Sequence, residues 1–434
     1  MLPVPEDRAN PAGRQIRLQV AVIPALANDP AAQPLFALAG GPGGASTRQF
    51  GWLPTVFASV HATRDIVLVD QRGTGNSNQL IMPPSPDTNG LADDQADAAL
   101  ATWAADYFGS LDADPALYTS TVAADDLDDV RAALGYDQID LYGPSYGATL
   151  AQYYLRQHGD HVHVAVMDGG TPLDVPIFER MAANSQHALD LLFDRCAADP
   201  ACAGAFPTLR DDWTSVLESL ATPVDVVDPA TGQQAQLSRV DVENAVHSAL
   251  VDRSSAAMLP LLIHIASTGD WQSVLAAATG MQTQGGNDIL LMSEEIRCTE
   301  AWARFDEAQV QVLGEGSYDL DAQLASARSW TMVCAHIPAG AAPADDGAPV
   351  VTDTPVLWVT GDGDPQDPPA NLAAVPGHEP NAAIIVMPVA NHTVGHLGCL
   401  PSIIGKFLDT GTAQGIDTTC VARGADPNPA FRVQ

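Results

Sequence analysis

The chain has 434 residues, of which 46% are hydrophobic and 17% are charged. These values exclude a disordered or coiled-coil protein and leave room for a large core with an inserted domain. Its formal net charge is −34, from 53 acidic and 19 basic residues, and Lys406 is the only lysine. Such an acidic surface repels nucleic acid and anionic membranes, and the sequence has no apolar run long enough for a membrane span, so we exclude nucleic-acid partners and membrane insertion.

Strand-like and helical patterns alternate through the first 175 residues. Residues 14–24 alternate between apolar and polar side chains, which predicts an antiparallel edge strand. Short apolar runs predict buried strands at residues 34–39, 65–70, 139–142 and 163–168, and a helix that ends at Gly135 precedes the third of these. Strands that alternate with helices indicate a doubly wound parallel α/β sheet, with the functional loops at the carboxyl ends of the strands.

The pattern changes between residues 176 and 345, where helical periodicity dominates. Strand-like runs return at residues 355–360 and 382–387, and a last helix is predicted at 400–410. We therefore predict an α/β core interrupted by a helical cap, with the first part of the core at residues 1–175, the cap at 176–345 and the second part of the core at 346–434.

Six cysteines lie in three neighbouring pairs along the chain. We predict sequential pairing, which closes three short loops: Cys196–Cys202, Cys298–Cys334 and Cys399–Cys420. Their spacing does not suit zinc, so we predict no metal. Three disulfides indicate an oxidising compartment, periplasmic or extracellular. The first eight residues lack the charged and apolar regions of a signal peptide, so we expect a mature or trimmed form.

Residues 138–154 contain the most informative pattern of the chain. A short apolar strand leads into Gly143-Pro-Ser145-Tyr-Gly147, and a helix opens at Ala148. This is the G-x-S-x-G pattern with the preceding strand and following helix that a nucleophile elbow requires. Glycines allow close backbone approach, so the serine can occupy a strained turn above the sheet. We therefore predict that Ser145 is a nucleophile; the alternative is an ordinary β-turn with a surface serine.

A nucleophilic serine needs a base, and the base needs a carboxylate that orients it. In this architecture the acid follows the serine along the chain and the base comes last. Asp362, Asp364 and Asp367 all follow the strand at 355–360. We favour Asp364, which lies beyond a glycine turn and before a proline, and we expect the other two to serve as turn or helix-capping residues.

The position of the base selects among eleven histidines. Only His392 and His396 follow the last predicted strand, and His392 is closer to its end. We predict that His392 is the base and that His396 lies against the final helix.

A glycine-rich loop, Gly40-Gly41-Pro42-Gly43-Gly44, follows the strand at 34–39. Preorganised N–H donors for an oxyanion each contribute about 3 kcal/mol to transition-state stabilisation. Pro42 has no N–H, so we predict that the amides of Gly41 and Tyr146 form the oxyanion hole. The loop lacks the residues of a P-loop and the spacing of a dinucleotide-binding turn, so we expect no nucleotide cofactor.

Taken together, these stretches resemble the α/β-hydrolases of the prolyl aminopeptidase and tripeptidyl aminopeptidase type. The resemblance covers nearly the whole chain. It rests on Gly40-Gly-Pro-Gly43, Asp70-Gln-Arg-Gly-Thr-Gly-Asn-Ser77, Gly143-Pro-Ser-Tyr-Gly-Ala148, and the order Asp364, His392, Cys399, Cys420. Ala39 and Ala148 stand where the family usually has a histidine and a glycine. The resemblance implies an α/β-hydrolase fold with an inserted helical cap.

The resemblance also implies serine peptidase chemistry at free N-termini, with carboxylates of the cap holding the substrate ammonium. Glu294, Glu295 and Glu300 are the candidates, and Glu300 is the first choice. The substrate would be a peptide, or a small ester if the protein is a carboxylesterase with the same triad, and neither reaction needs a cofactor. A catalytically silent binding protein is a third interpretation, which a complete triad in the right order disfavours.

Overall fold

A computed structural model of the chain describes residues 1–28, 33–86, 88, 91–228, 232–282, 289–422 and 429–433. The strands are β1 Leu2–Pro5, β2 Gln15–Leu18, β3 Val20–Ile23, β4 Leu35–Ala37, β5 Ile66–Val69, β6 Ile81–Met82, β7 Ile139–Pro144, β8 Val162–Asp168, β9 Val224–Val227, β10 Gln234–Leu237, β11 Ile289–Leu290, β12 Val356–Gly361 and β13 Ala383–Met387.

The α-helices fall into three groups along the chain. Those before or between the first core strands are α1 Ser46–Gln49, α2 Leu53–Val56, α3 Ala58–Thr63, α4 Asp93–Ser110, α5 Ser120–Leu134 and α6 Tyr146–His158. Between β8 and β12 are α7 Ile177–Ala198, α8 Pro200–Ala205, α9 Leu209–Ser219, α10 Arg239–Val251, α11 Arg253–Ala256, α12 Leu259–Ser267, α13 Trp271–Gln282, α14 Leu291–Ile296, α15 Glu307–Leu313 and α16 Leu320–Cys334. The last three are α17 Val375–His378, α18 Leu400–Thr410 and α19 Thr419–Ala422.

A seven-stranded sheet in the order β13-β12-β8-β7-β4-β5-β3 forms the centre of the molecule. Its neighbouring strands are parallel except for the antiparallel pair β3–β5 at one edge. The interior strands are almost continuously apolar because helices cover both of their faces. The predicted doubly wound, mostly parallel α/β sheet is confirmed.

Two apolar clusters cover the two faces of this sheet. On one face, α5 and α6 pack against the strands, with Leu127 and Leu150 among the buried side chains. On the other face, α2, α3 and α18 contribute Leu53, Val60 and Phe407. The carboxyl ends of the parallel strands therefore open at one edge of a sheet that is held from both sides.

The single strand predicted at residues 14–24 is two strands that separate at Gln19. The backbone N–H of Gln19 donates to Ser77 Oγ at 2.7 Å, and its carbonyl accepts from Asp70 N–H at 3.0 Å. These contacts turn the chain, so β2 pairs with β1 in a separate two-stranded sheet and only β3 joins the main one. The apolar-polar alternation continues through the break and gives no sign of it.

The helices between β8 and β12 have an apolar cluster of their own, built around Leu189, Trp213, Leu250 and Ile263. Phe431, near the end of the chain, joins this cluster. The helical content agrees with the predicted character of this segment, while its boundaries at residues 176 and 345 stay a prediction.

Three disulfides join Cys196 to Cys202, Cys298 to Cys334 and Cys399 to Cys420. The first ties α7 to α8, the second ties the turn after α14 to the end of α16, and the third ties the start of α18 to α19. Among the helices of the described ranges, none combines the length and the apolar character that crossing a membrane would require.

Candidate active site

Ser145 lies at the sharp turn between β7 and α6. Its backbone has φ 56° and ψ −129°, in the left-handed half of conformational space that an L-residue rarely adopts. A Cβ at Gly143 would lie 2.2 Å from the carbonyl oxygen of Gly147, and a Cβ at Gly147 would lie 2.2 Å from that of Leu38. Both glycines are therefore required by close backbone contacts, and the strain at the serine is maintained by the packing around it.

The side chain of His392 is held by a buried carboxylate. Its Nδ1 lies 2.7 Å from Oδ2 of Asp364, which is fully buried. A carboxylate can only accept this hydrogen bond, so Nδ1 carries the proton and Nε2 is the basic nitrogen. The other oxygen of Asp364 accepts the backbone N–H groups of Gln366 and Asp367, each at 2.9 Å. Asp364 is thus fixed by its own loop and orients the imidazole.

The end of β8 brings the serine and the histidine to the same edge of the sheet. The N–H of Ser145 donates to the carbonyl oxygen of Asp168 at 2.9 Å. The next residue, Gly169, has φ 61°, and a Cβ there would lie 3.3 Å from Nδ1 of His392 and 2.9 Å from the amide nitrogen of Thr393. One short segment therefore contacts both residues, and Gly169 leaves room for the imidazole.

Asp168 also anchors the loop that carries His392. Its carboxylate, which is fully buried, accepts the N–H groups of Val394 and Gly395 at 2.6 and 2.9 Å and the hydroxyl of Tyr142 at 2.7 Å. Burial raises the pKa of Asp168, although these donors oppose the shift. No motif in the sequence marks Asp168 as a functional residue. The available signal was an acidic side chain at the carboxyl end of a buried strand.

Asp367 has a different place from the one expected. It does not cap a helix: its Oδ2 lies 3.7 Å from Nδ1 of His392, and its Oδ1 accepts the hydroxyl of Thr171 at 2.5 Å. Asp362, the third aspartate of the loop, is half-buried, and its backbone N–H donates to the carbonyl oxygen of Met387. The imidazole thus lies beside two carboxylates, with Asp364 the closer one.

His396 lies beyond this cluster, where its ring packs 5.9 Å from the ring of Trp52. Of the two candidate histidines, His392 is therefore the one that is bonded to Asp364. His396 contacts the segment that begins α2.

The glycine-rich loop after β4 packs directly on the elbow. A Cβ at Gly40 would lie 3.0 Å from Cβ of Ser145, so a larger residue would displace the serine. Gly41 has φ 131°, the peptide between Gly41 and Pro42 is cis, and the hydroxyl of Ser293 donates to the carbonyl oxygen of Pro42 at 2.8 Å. This loop is therefore positioned beside the Ser145 side chain.

The loop after β5, Asp70 to Ser77, is bonded to two helices of the core, α1 and α5. Arg72 is fully buried, and its guanidinium donates twice to the carboxylate of Asp126 in α5, each time at 2.7 Å. Asp70 accepts the N–H and the hydroxyl of Thr47, each at 2.9 Å. These bonds fix the position of the loop relative to α1 and α5.

A cavity of about 230 Å³ opens above Ser145. Gly41 and Tyr146 line it at the serine, and its charged lining residues are Arg297, Glu300, Arg304 and Asp367. The remaining wall is largely apolar, with Leu173, Val175, Ile177, Phe178, Met181 and Ile296. The cavity can therefore hold an apolar side chain, and four charged side chains contribute to its lining.

Glu300 lies in the wall of this cavity and is connected to the elbow. Its two carboxylate oxygens accept the backbone N–H and the hydroxyl of Ser120, at 2.6 and 2.7 Å. The same Ser120 hydroxyl lies 2.7 Å from the hydroxyl of Tyr146. Burial raises the pKa of Glu300 to about 8, although the Ser120 hydrogen bonds oppose the shift. The site therefore accommodates this carboxyl most easily when it is neutral or paired with a cation.

The other two candidate glutamates are not in the described lining of the cavity. Glu295 accepts the hydroxyl of Thr299 and the N–H of Gly340, both at 2.6 Å, and burial raises its pKa to about 7. Glu294 lies 3.8 Å from Arg297, and burial raises its pKa too. The carboxylate of Glu295 binds the segment around Gly340, and its contact with a substrate stays a prediction.

Side chains of metal-binding type converge at two places in the described part of the chain. At the first, Asp128 faces His158 and His161, but Arg131 donates to the same carboxylate at 2.6 Å. A metal ion there would have to displace a guanidinium. The second place is His392 with its two aspartates, where Nδ1 is already bonded to Asp364. We assign a metal to neither.

The chain belongs to the α/β-hydrolase family: the family model described as alpha/beta hydrolase fold matches residues 33–398. It is 33% identical to the tripeptidyl aminopeptidase of Streptomyces coelicolor over 181 residues, which are 38% of this chain and 33% of that protein. It is 24% identical to the serine protease Hip1 of Mycobacterium tuberculosis over 325 residues, 71% of this chain and 60% of that protein. It is 34% identical to the proline iminopeptidase of Lactobacillus delbrueckii subsp. lactis over 122 residues, 28% of this chain and 30% of that protein.

These relatives confirm the resemblance that the sequence motifs indicated. The chain covers only part of the length of each relative, from 30% to 60%. What those proteins are named for therefore applies to them, and the activity of this chain is inferred from its own site below.

Proposed function

We propose that this protein is a serine hydrolase whose triad is Ser145, His392 and Asp364. The observation that carries the proposal is the meeting of two features at one edge of the sheet. A serine held at φ 56° stands on the strand-to-helix turn, and a histidine whose Nδ1 is 2.7 Å from a buried aspartate lies on the neighbouring loop. Members of the family named as peptidases add support.

In the proposed reaction, Oγ of Ser145 attacks the carbonyl carbon of the substrate while Nε2 of His392 takes the hydroxyl proton. The amides of Gly41 and Tyr146 stabilise the oxyanion that forms. His392 returns the proton to the leaving amine or alcohol, and a water molecule then releases the acyl group by the same steps in reverse. Asp364 keeps the proton on Nδ1 and stabilises the imidazolium.

We further propose that the acyl group comes from the N-terminus of a peptide whose free ammonium pairs with Glu300. The support is the position of Glu300 in the wall of the cavity that holds Ser145. An ammonium at hydrogen-bond distance favours the charged form of the carboxyl and so opposes the effect of burial on its pKa.

A carboxylesterase is the second candidate, and one observation favours it. The pKa of Glu300 is raised to about 8, so most of this carboxyl is neutral at pH 7 in the free protein, and the rest of the wall is largely apolar. A neutral site of this kind can accept an uncharged acyl group.

The two candidates are distinguished by the need for a free amine. Prolyl and alanyl-tripeptidyl anilides would be compared with their N-acetylated forms and with a p-nitrophenyl ester. We expect the free-amine anilides to be cleaved and the acetylated ones to be cleaved much more slowly. Turnover of the ester alone would replace the peptidase by the esterase, and activity undiminished in Ser145→Ala would contradict both.

We also propose that the protein works outside the cytoplasm, periplasmic or secreted. All six cysteines are paired in disulfides, which persist in oxidising compartments.

A further inference from the structure

We propose that Asp367 is a positioning residue for His392 and that it sets the lower pH limit of activity. Together, Asp364 and Asp367 place two buried carboxylates beside the imidazole of His392. The inference rests on the proposed function, in which His392 must be neutral to accept the proton of Ser145. It concerns a residue that the triad itself does not require.

The carboxylates of Asp364 and Asp367 both lie near the Nδ1–H group of His392. Nδ1 of His392 lies 2.7 Å from Oδ2 of Asp364 and 3.7 Å from Oδ2 of Asp367. The backbone N–H of Asp367 donates to Oδ1 of Asp364, so the four-residue turn itself brings the second carboxylate beside the first. Asp364 makes the hydrogen bond, and Asp367 acts on the imidazole through its charge.

A separate set of bonds fixes the side chain of Asp367. The hydroxyl of Thr171 donates to its Oδ1 at 2.5 Å, and the side-chain amide of Asn371 donates to that hydroxyl oxygen at 2.9 Å. Thr171 follows the end of β8, and Asn371 lies in the 3₁₀-helix after the loop. The carboxylate therefore cannot rotate away from His392 without losing a buried hydrogen bond.

The groups around His392 come from three elements of the fold. Asp364 and Asp367 approach His392 from the loop after β12, and Asp168 approaches from the end of β8. The end of α10 contributes carbonyl oxygens of Leu250 and Val251, which accept from Asn391 and His392. The carboxylate of Asp252, the next residue, caps α11. The nearby histidines interact electrostatically with other aspartates, His187 with Asp362 and His396 with Asp168. His392 thus lies among three carboxylates, and Asp367 is the one that can be removed without breaking a bond to the imidazole or its loop.

The titration behaviour agrees with this geometry. Burial and the neighbouring charge of Asp364 raise the pKa of Asp367 to about 7. Burial lowers the pKa of His392, but the charge and hydrogen bond of Asp364, with the charges of Asp367 and Asp168, outweigh it and raise the value to about 9. As the pH rises, Asp367 therefore loses its proton before His392 does, and its negative charge shifts the appearance of the neutral imidazole to higher pH.

The test is the pH profile of kcat/KM for Asp367→Asn. Without the charge of Asp367 the imidazolium is less stable, so we expect the acidic limb to move down by about one pH unit and to report a single ionisation. One unit below the wild-type limb, the variant should keep about fivefold more of its own plateau activity than the wild type keeps. A residue with a purely structural role would lower activity at every pH and leave the limb in place.

Asp362→Asn is the matched control, because it removes a carboxylate of the same loop that faces His187; its limb should coincide with the wild type. If Asp367→Asn does not fold, Thr171→Val takes its place: the lost donor raises the pKa of Asp367 further, and the limb should move in the same direction by a smaller amount. Coincident limbs in wild type and in the folded variant overturn the inference. Full activity in Ser145→Ala or Asp364→Asn would overturn the proposed function instead, so the two failures are distinguishable.

Discussion

The proposed role of Glu300 in binding a substrate ammonium can be tested at the scale of one residue. Glu300→Gln keeps the size of the side chain and removes its charge. A charged hydrogen-bonded pair contributes about 1.5–3 kcal/mol, so we expect kcat/KM for free-amine anilides to fall by about 10- to 100-fold. The p-nitrophenyl ester should be hydrolysed at close to the wild-type rate, because it has no ammonium.

Glu295→Gln is the comparison for that variant. Glu295 is as deeply buried and lies one helical turn earlier, but its carboxylate faces Thr299 and Gly340. We expect this change to leave both substrates unaffected. An anilide rate that survives Glu300→Gln, or falls only in Glu295→Gln, would show that the ammonium binds elsewhere.

At the scale of single residues, the sequence allows the prediction of those residues that lie in a recognisable local pattern. Ser145 has its glycines, and Asp364 and His392 follow strands at the expected edge of the sheet. Asp168 and Asp367 also lie at or after strand ends, but their roles, like that of Thr171, depend on which loops meet above the sheet, and the chain brings them together from β8 and β12. Likewise, Glu295 and Glu300 are alike in sequence, and only packing separates their environments.

Among the elements, helices and strands with a strong period were predicted well. The helix before β7 ends at Gly135, whose φ of 80° suits the left-handed cap of α5. The break at Gln19 was missed, because it is caused by hydrogen bonds to Asp70 and Ser77 from a distant loop. An alternating pattern reports which face of a strand is buried, and it does not report the strand with which it pairs.

On the scale of the whole molecule, the buried carboxyls and the net charge of −34 both reduce the stability of the fold as the pH rises. Burial raises the pKa values of Glu295, Asp367 and Glu379 to about 7 and that of Glu300 to about 8. A carboxyl whose pKa is higher in the folded state contributes stability below its unfolded value, about 4, and loses that contribution as the pH rises through the folded value. The raised pKa of His392, about 9, has the same sign.

We therefore expect the melting temperature to be highest near pH 4 to 5 and to fall steadily up to pH 9. Carboxylates of opposite behaviour, such as Asp128 with a pKa lowered to about 2, destabilise the fold only at much lower pH. Added salt should raise the melting temperature at pH 9 more than at pH 5.5, because it screens the repulsion among the acidic groups. Differential scanning calorimetry at several pH values measures this; a melting temperature that rises between pH 6 and 9 would contradict it.

The identity of the nucleophile is tested most directly by covalent labelling with a fluorophosphonate. Its phosphorus forms a bond to the serine oxygen as fluoride leaves, and His392 accepts the serine proton, so the label reports an activated hydroxyl. We predict one adduct per chain, mapped by peptide mass spectrometry to Ser145, and no adduct in Ser145→Ala. Hydrolytic activity without a label at Ser145, or a label on another residue, would contradict the mechanism proposed here.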